Sequence, residues 1–316
     1  MISDENAVEN GRGSPTDSIA VGLILVLGPI AVLVGVFEWA GSALLAAIAA
    51  LSVSPTLQLT AEHWRPRRLL PPKRPGQLGI EIFQGVVYGT LLGVGVTFGL
   101  WWLARGLRSA LDIELELGGG IWLQAVALVV LADFLDYFRH RHEHVSDGIF
   151  WRVHSVHHSI RRFSLLDGLA IHPLETLFTY LWYGVLAGLL GMSFETMLLG
   201  FAIALIIMGA QHTNSGTSLG PLSFVFAHAD GHRWHHDIGL ESGRNVNYAN
   251  VLSLWDVLWG TYYAPREFDG DYGIEPFRDA YPTGLGDQAL LLLPERYAAA
   301  EARARARSQP AATDAK

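Results

Sequence analysis

The sequence predicts an all-α, polytopic membrane protein of about six transmembrane helices, with a cytoplasmic helical cap carrying a histidine-rich dimetal site. Three observations carry that reading. Of the 316 residues 50% are hydrophobic and only 16% charged, where a soluble domain would carry about a quarter charged. The deficit comes from six long apolar runs, each close to the roughly 18–20 residues that cross the hydrocarbon layer. Beside those runs the histidines gather in three clusters: His140 and His144, then His154, His157 and His158, then His232, His235 and His236. The net charge of −8 leaves no footprint for nucleic acid. With no cysteine in the chain, disulfides and thiolate-held iron are excluded, so any metal must sit on histidine, carboxylate and water.

In chain order, residues 1–18 read as a polar, disordered tail. They lack the basic segment of a secretory signal, so the apolar run after them is expected to be a retained span. Ile19 to Val36 and Ser42 to Leu59 form an apolar hairpin, turned at Glu38 and Trp39. A basic, proline-rich loop follows, with Arg65, Arg67, Arg68, Lys73 and Arg74 among Pro66, Pro71, Pro72 and Pro75. Residues 19–79 are thus read as an N-terminal transmembrane unit. Ile80 to Ala104 and Ile121 to Phe138 supply the third and fourth spans; Leu174 to Leu190 and Phe194 to Ala210 supply a hairpin turned at Gly191, Met192 and Ser193.

Arginine and lysine concentrate in the 65–74 loop, in 139–162 and near the C-terminus. By the positive-inside rule these segments are cytoplasmic, and six spans put both termini and all three histidine clusters on that side. Residues 80–265 are read as the catalytic domain, in a cell membrane with the active site facing the cytoplasm, and 266–316 as a cytoplasmic tail. Its Ala-rich end, Ala298 to Arg307, is a helix candidate expected to lie as a solvated tail near anionic headgroups.

Spacings of three and four residues put side chains on one helix face, so each histidine cluster is expected to aim several imidazoles at one point. Neutral imidazole suits zinc, copper, iron and nickel. One ion takes about four to six ligands, so this many histidines argue for two ions. Zinc has no redox chemistry, and two redox-capable ions at a membrane suggest a diiron centre that turns O2 on a lipid C–H bond. The rival reading, a His-rich metal transporter, expects ionisable ligands at mid-membrane in several spans; here they stand only beside the first cluster.

The motifs resemble those of the fatty acid hydroxylase / sterol desaturase superfamily, integral-membrane histidine-box diiron oxygenases. The family's Asp-x-x-x-Tyr-x-x-His-Arg-x-x-His is met by Asp133, Tyr137, His140, Arg141 and His144. Its Trp-Arg-Phe-His-x-Val-His-His-Ser becomes Trp151, Arg152, Val153, His154, Ser155, Val156, His157, His158 and Ser159. His172-Pro173-Leu174-Glu175, His212-Thr213-Asn214 and His232-Arg233-Trp234-His235-His236 match further boxes, as do Asn247-Tyr248-Ala249 and Trp255 to Thr261. Ala249 and Trp259 depart from the usual glycine and phenylalanine.

The resemblance covers about residues 120–265. It implies that His140, His144, His154, His157, His158, His212, His232, His235 and His236 hold two iron ions, with O2 as co-substrate. The partners it implies are a lipid substrate, the surrounding membrane lipids and a separate electron-donor protein.

His142 falls on the wrong helix face for a ligand, and His228 is additional to the boxes. A ligating imidazole usually passes its second N–H to a carboxylate or carbonyl, so one or both of Asp133 and Asp136 are read as that outer shell. Tyr137, Asn214 and Asn247 are placed beside them, and His172 at the periphery, hydrogen-bonding or lining the substrate path. Trp151, Trp234, Trp255 and Trp259 either wall an acyl tunnel or gather as interfacial aromatics.

Overall fold

In a computed structural model of the chain, the described residues are 15–146, 148–241, 246–265, 268, 270–278 and 280–308. Most of the expected tail at 1–18 lies outside them. The apolar runs form the helices α1 (Pro15–Ala40), α2 (Ala43–Trp64), α3 (Gln77–Ala110), α4 (Ile121–Val145), α6 (Pro173–Leu189) and α7 (Phe194–Ala210). The short α5 (Ile149–His158), α8 (Ala229–His235), α9 (Ile238–Glu241) and α10 (Leu254–Trp259) lie among them in sequence. Then α11 (Leu285–Ala289) and α12 (Pro294–Ser308) complete the chain. Among the described residues no β-strand forms, only two isolated bridges, Pro66 with Ser215 and Asp237 with Tyr272.

Four helices, α1 to α4, are long and apolar enough to cross a membrane; α6 and α7 are shorter, at 17 residues each. Local chemistry sets several boundaries. The Ser42 side chain accepts from the Leu45 N–H to open α2, and Ser193 does the same for α7 from Thr196. The third apolar run forms a longer helix than its hydropathy suggests, with wide π-type turns over Gln84–Leu92. Its Gln84 amide there reaches the Ile171 carbonyl at 3.0 Å and Gln288 at 2.9 Å.

Apolar lipid offers helices little drive to associate, so close packing of small residues does the work. A Cβ on Gly184 would meet the Thr97 carbonyl at 2.4 Å, and one on Gly188 the Trp101 carbonyl at 2.6 Å. These two glycines, four apart, let α6 lie directly on the α3 backbone. Buried Ala43, Ala46, Ala47 and Ala50 of α2 likewise meet Leu199, Ala202 and Ile206 of α7.

The basic 65–74 loop is partly neutralised within the protein: Lys73 pairs with Glu81 and Asp167, and Arg68 donates to the Gly270 and Phe268 carbonyls. One expectation needs correction: α12 is no free tail. Ala300 and Ala304 of α12 are buried against Trp151, Ile274, Phe277, Tyr281 and Leu291, and the Arg152 guanidinium donates to the Leu292 carbonyl at 3.0 Å. Alanine packs closely where a longer side chain could not, so an Ala-rich segment can dock as well as dissolve.

Candidate metal centre

The nine histidines singled out by their boxes come together in two groups. His140, His144, His154, His158 and His235 form one; His157, His212, His232 and His236 form the other. Within each group the ligand atoms lie within 4.8 Å of one another. The groups adjoin, with the His158 and His236 rings stacked 4.3 Å apart. All nine are buried except His157, which is half-buried.

The expectation that each triplet aims at one point is corrected here. A helix turns about 100° per residue, so His154 and His158 share a face while His157 points well away from His158. The α5 triplet therefore sends His154 and His158 to the first group and His157 to the second. The α8 triplet does the reverse, sending His235 to the first and His232 and His236 to the second. His212 enters from the turn after α7, where Gly168 leaves it room; a Cβ there would lie 2.4 Å from the His212 ring.

Four rings have the second nitrogen on an acceptor that fixes the tautomer. His140 Nδ1 donates to the Tyr248 carbonyl at 2.6 Å, His235 Nδ1 to Val246 at 2.9 Å and His157 Nδ1 to Ala170 at 3.2 Å. His154 Nδ1 donates to Glu175 Oε1 at 3.1 Å. Burial holds these rings neutral: it lowers the pKa of His154, His157, His158, His212, His232 and His236, and neighbouring histidines reinforce it for all but His157. His235 is pushed down to about 3, again chiefly by burial.

These tautomers test whether a cation fits. His140 and His154 both spend their proton outward, so their inward Nε2 atoms, 3.0 Å apart, present lone pair to lone pair. In the second group His212 Nε2 stands 3.1 Å from His157 Nε2 and 2.9 Å from His232 Nε2, and His236 Nε2 lies 3.1 Å from His232 Nε2. The opposed lone pairs of His140 and His154 cannot satisfy each other; a shared cation between them can. The donors are all imidazole, a set suited to first-row transition metals.

The outer residues divide differently from expectation. Neither Asp133 nor Asp136 touches an imidazole. Asp133 accepts from the Val251 N–H at 2.9 Å, the Leu252 N–H at 2.8 Å and Trp255 Nε1 at 2.9 Å. Asp136 pairs with Arg139 and Asn250. The His140 and His235 N–H groups go instead to the Tyr248 and Val246 backbone carbonyls, on the loop these acids tether. Asn247, at φ 55°, sits at the centre of that loop; its amide donates to Gly231 and Tyr263 and accepts from the Tyr263 N–H. Asp256 accepts from the Tyr248 and Ala249 N–H groups at 2.8 and 2.9 Å. Tyr137 reaches Thr261 at 2.9 Å.

Asn214 is a tether too, joined to Arg68 and Glu62 beside His212. His172 caps α6, its Nδ1 accepting from the Leu174 N–H at 3.1 Å. His142 is exposed against Phe150, outside both groups.

The carboxylate on a ligand ring is Glu175, with Glu143 at 3.6 Å from the same His154. Arg139 bridges Asp136, Glu143 and Glu175. The i, i+4 pair Arg139 and Glu143 just past the apolar run, and the Glu175 ending the His-Pro-Leu-Glu box, were the available signals for this network. Of the tryptophans, Trp151 packs on His144 and His158, while Trp255 and Trp259 pack on Phe134 of α4. Trp234 donates to the Pro265 carbonyl at 3.1 Å.

Comparison with known proteins places residues 125–261 on the fatty acid hydroxylase family model. The chain is 36% identical over 154 residues to the ornithine lipid hydroxylase OlsE of Rhizobium tropici, covering 48% of this chain and 45% of that protein. It is 33% identical over 140 residues to the alkylglycerol monooxygenase of Homo sapiens, covering 43% and 29%. With sphinganine C4-monooxygenase 2 of Arabidopsis thaliana it shares 28% identity over 142 residues, 44% of this chain and 54% of the other. The alignments thus span about half or less of each of these relatives. No solved structure matches.

Proposed function

We propose that this chain, whose residues 125–261 belong to the fatty acid hydroxylase family, is a membrane-bound lipid oxygenase. It would use O2, two electrons from a separate donor protein and two protons to convert a lipid C–H bond to C–OH, releasing water. The observation that carries the reading is the pair of adjoining all-histidine groups, in the first of which the inward Nε2 atoms of His140 and His154 face one another as lone pairs. The lipid substrate is supported by the names of the similar proteins and by the four apolar helices beside the site.

His140, His144, His154, His158 and His235 would hold one iron, and His157, His212, His232 and His236 the other. Two irons held there would supply the redox capacity to activate dioxygen. The chain's own contribution is orientation and exclusion of water. Glu175 and the carbonyls of Ala170, Val246 and Tyr248 keep four ligand protons pointed outward. Phe163 stacks on His212 at 5.1 Å, and Trp151 and Tyr248 cover His144.

The active site is proposed to face the cytoplasm; reporter fusions at Arg74 and Arg162 should read cytoplasmic, and one at Glu114 external. The decisive experiment is metal analysis of the purified protein with untargeted lipidomics of cells with and without it. Close to two irons per chain and a lipid class gaining one oxygen atom are expected. An iron-free protein with no oxygenated lipid would end the proposal.

A further inference from the structure

Two segments outside the candidate spans expose a continuous apolar strip. From Leu219 to Ala227 the sequence holds no ionisable residue, and from Val251 to Trp259 only Asp256, which is turned inward and buried. Soluble surfaces seldom leave such a strip uncharged. Yet Leu222, Phe224 and Val225 are exposed on the first segment, and Leu254, Val257 and Leu258 on the second, with Phe224 at 55% and Leu258 at 62%.

The three on α10 stand at i, i+3 and i+4, one face of the helix, opposite the buried Asp256. The segments are joined: Ser253 Oγ donates to the Ser223 carbonyl at 2.6 Å, and the Phe224 and Tyr262 rings lie 5.0 Å apart. The strip also continues onto α4. Trp255 and Trp259 pack on Phe134, and Trp259 packs on Phe138, itself exposed. Phe134 and Phe138 stand in the second half of α4, each six residues before a histidine of the first group, His140 and His144.

We propose that this strip is seated in the acyl–headgroup boundary of the bilayer that α4 crosses, so that bilayer lipid is its partner. An exposed Leu/Val/Phe face edged by tryptophan and tyrosine suits that boundary, and Trp259 and Tyr263 lie at its edge, both partly exposed. Its placement matters to the site. Ser223 and Ser253, beside exposed residues of the strip, line a cavity of about 20 Å³ whose lining also includes His228 and His232. The strip's own serines and a histidine of the second group thus border one cavity. The inference rests on the membrane reading of α4 but not on the oxygenase chemistry, and its test needs no turnover.

The full-length protein would be reconstituted in phosphatidylcholine vesicles containing a phosphatidylcholine with a diazirine in its acyl chain, irradiated, and mapped by mass spectrometry. Adducts are expected on peptides covering 220–225 and 254–259 as well as on α1 to α4, with α12 unlabelled. Adducts confined to the apolar helices would overturn the proposal, as would labelling of α12 equal to that of α10. The chain lacks cysteine, so Leu258→Cys gives an independent reading. In the same vesicles it should resist a membrane-impermeant maleimide that modifies Glu295→Cys; equal reaction of the two would overturn the seating.

Discussion

Replacing Asp133 by asparagine separates tethering a loop from touching a ligand. The carboxylate takes three donors: Val251 N–H on one oxygen, Leu252 N–H and Trp255 Nε1–H on the other. Asparagine keeps the shape but turns one acceptor into a donor. The least costly amide orientation faces its NH2 to Val251, losing one charge-assisted bond and leaving buried donors opposed. Each of those effects is about 1–3 kcal/mol, and relief from burying a charge offsets part. A net loss of about 2–4 kcal/mol is expected, in the loop that presents the Val246 and Tyr248 carbonyls to His235 and His140. No ligand is removed, so metal affinity should fall about tenfold while metal content recovers at high metal concentration. Unfolding in detergent micelles reads the first quantity, and chelator competition the second. Unchanged stability and affinity would refute the tether; a metal deficit that excess metal cannot restore would mean that Asp133 acts on a ligand directly.

Three further outcomes follow from the same geometry. His157→Ala removes one of four imidazoles from the second group and should strip its metal, whereas His142→Ala, exposed and outside both groups, should leave metal content unchanged by elemental analysis. Glu175→Gln takes the charge from the acceptor of the His154 N–H, and chelator competition should show metal held about 10–100-fold more weakly. Burial holds His154, His157, His158, His212, His232 and His236 below their ordinary value of 6.5, with His235 at about 3. The unfolded chain therefore binds more protons between those limits, and stability rises with pH there. Denaturation midpoints should be level above pH 6.5 and fall progressively below it, at up to about 1.4 kcal/mol per pH unit per histidine; midpoints that rise on acidification would contradict the neutral, buried assignment.

The sequence made the nine clustered histidines legible because helical spacing and box order survive without coordinates. It did not reveal how they divide, since HxxHH looks like one unit until the 100° step between His157 and His158 is applied to two facing helices. Asp133 was misread for a different reason. Acids near a metal site invite a carboxylate–imidazole pairing, but the acceptors of His140 and His235 are backbone carbonyls, the first 108 residues away, and every residue carries one. Glu175 was in view as part of a box without its partner being inferable. Alanine content misled at α12, because small residues mark a close interface as readily as a solvated helix.

Synthesis adds an order to this arrangement. A chain that has emerged as far as His158 carries four members of the first group but only His157 of the second; His212, His232 and His236 come after α6 and α7. His235 arrives with them, and the Tyr248 carbonyl that orients His140 arrives later still. Both pockets therefore stay open until the last apolar hairpin has been made and the chain beyond it has folded back. Completion of both groups is thus placed after the last apolar hairpin, and a chain stopped short of residue 232 completes neither pocket.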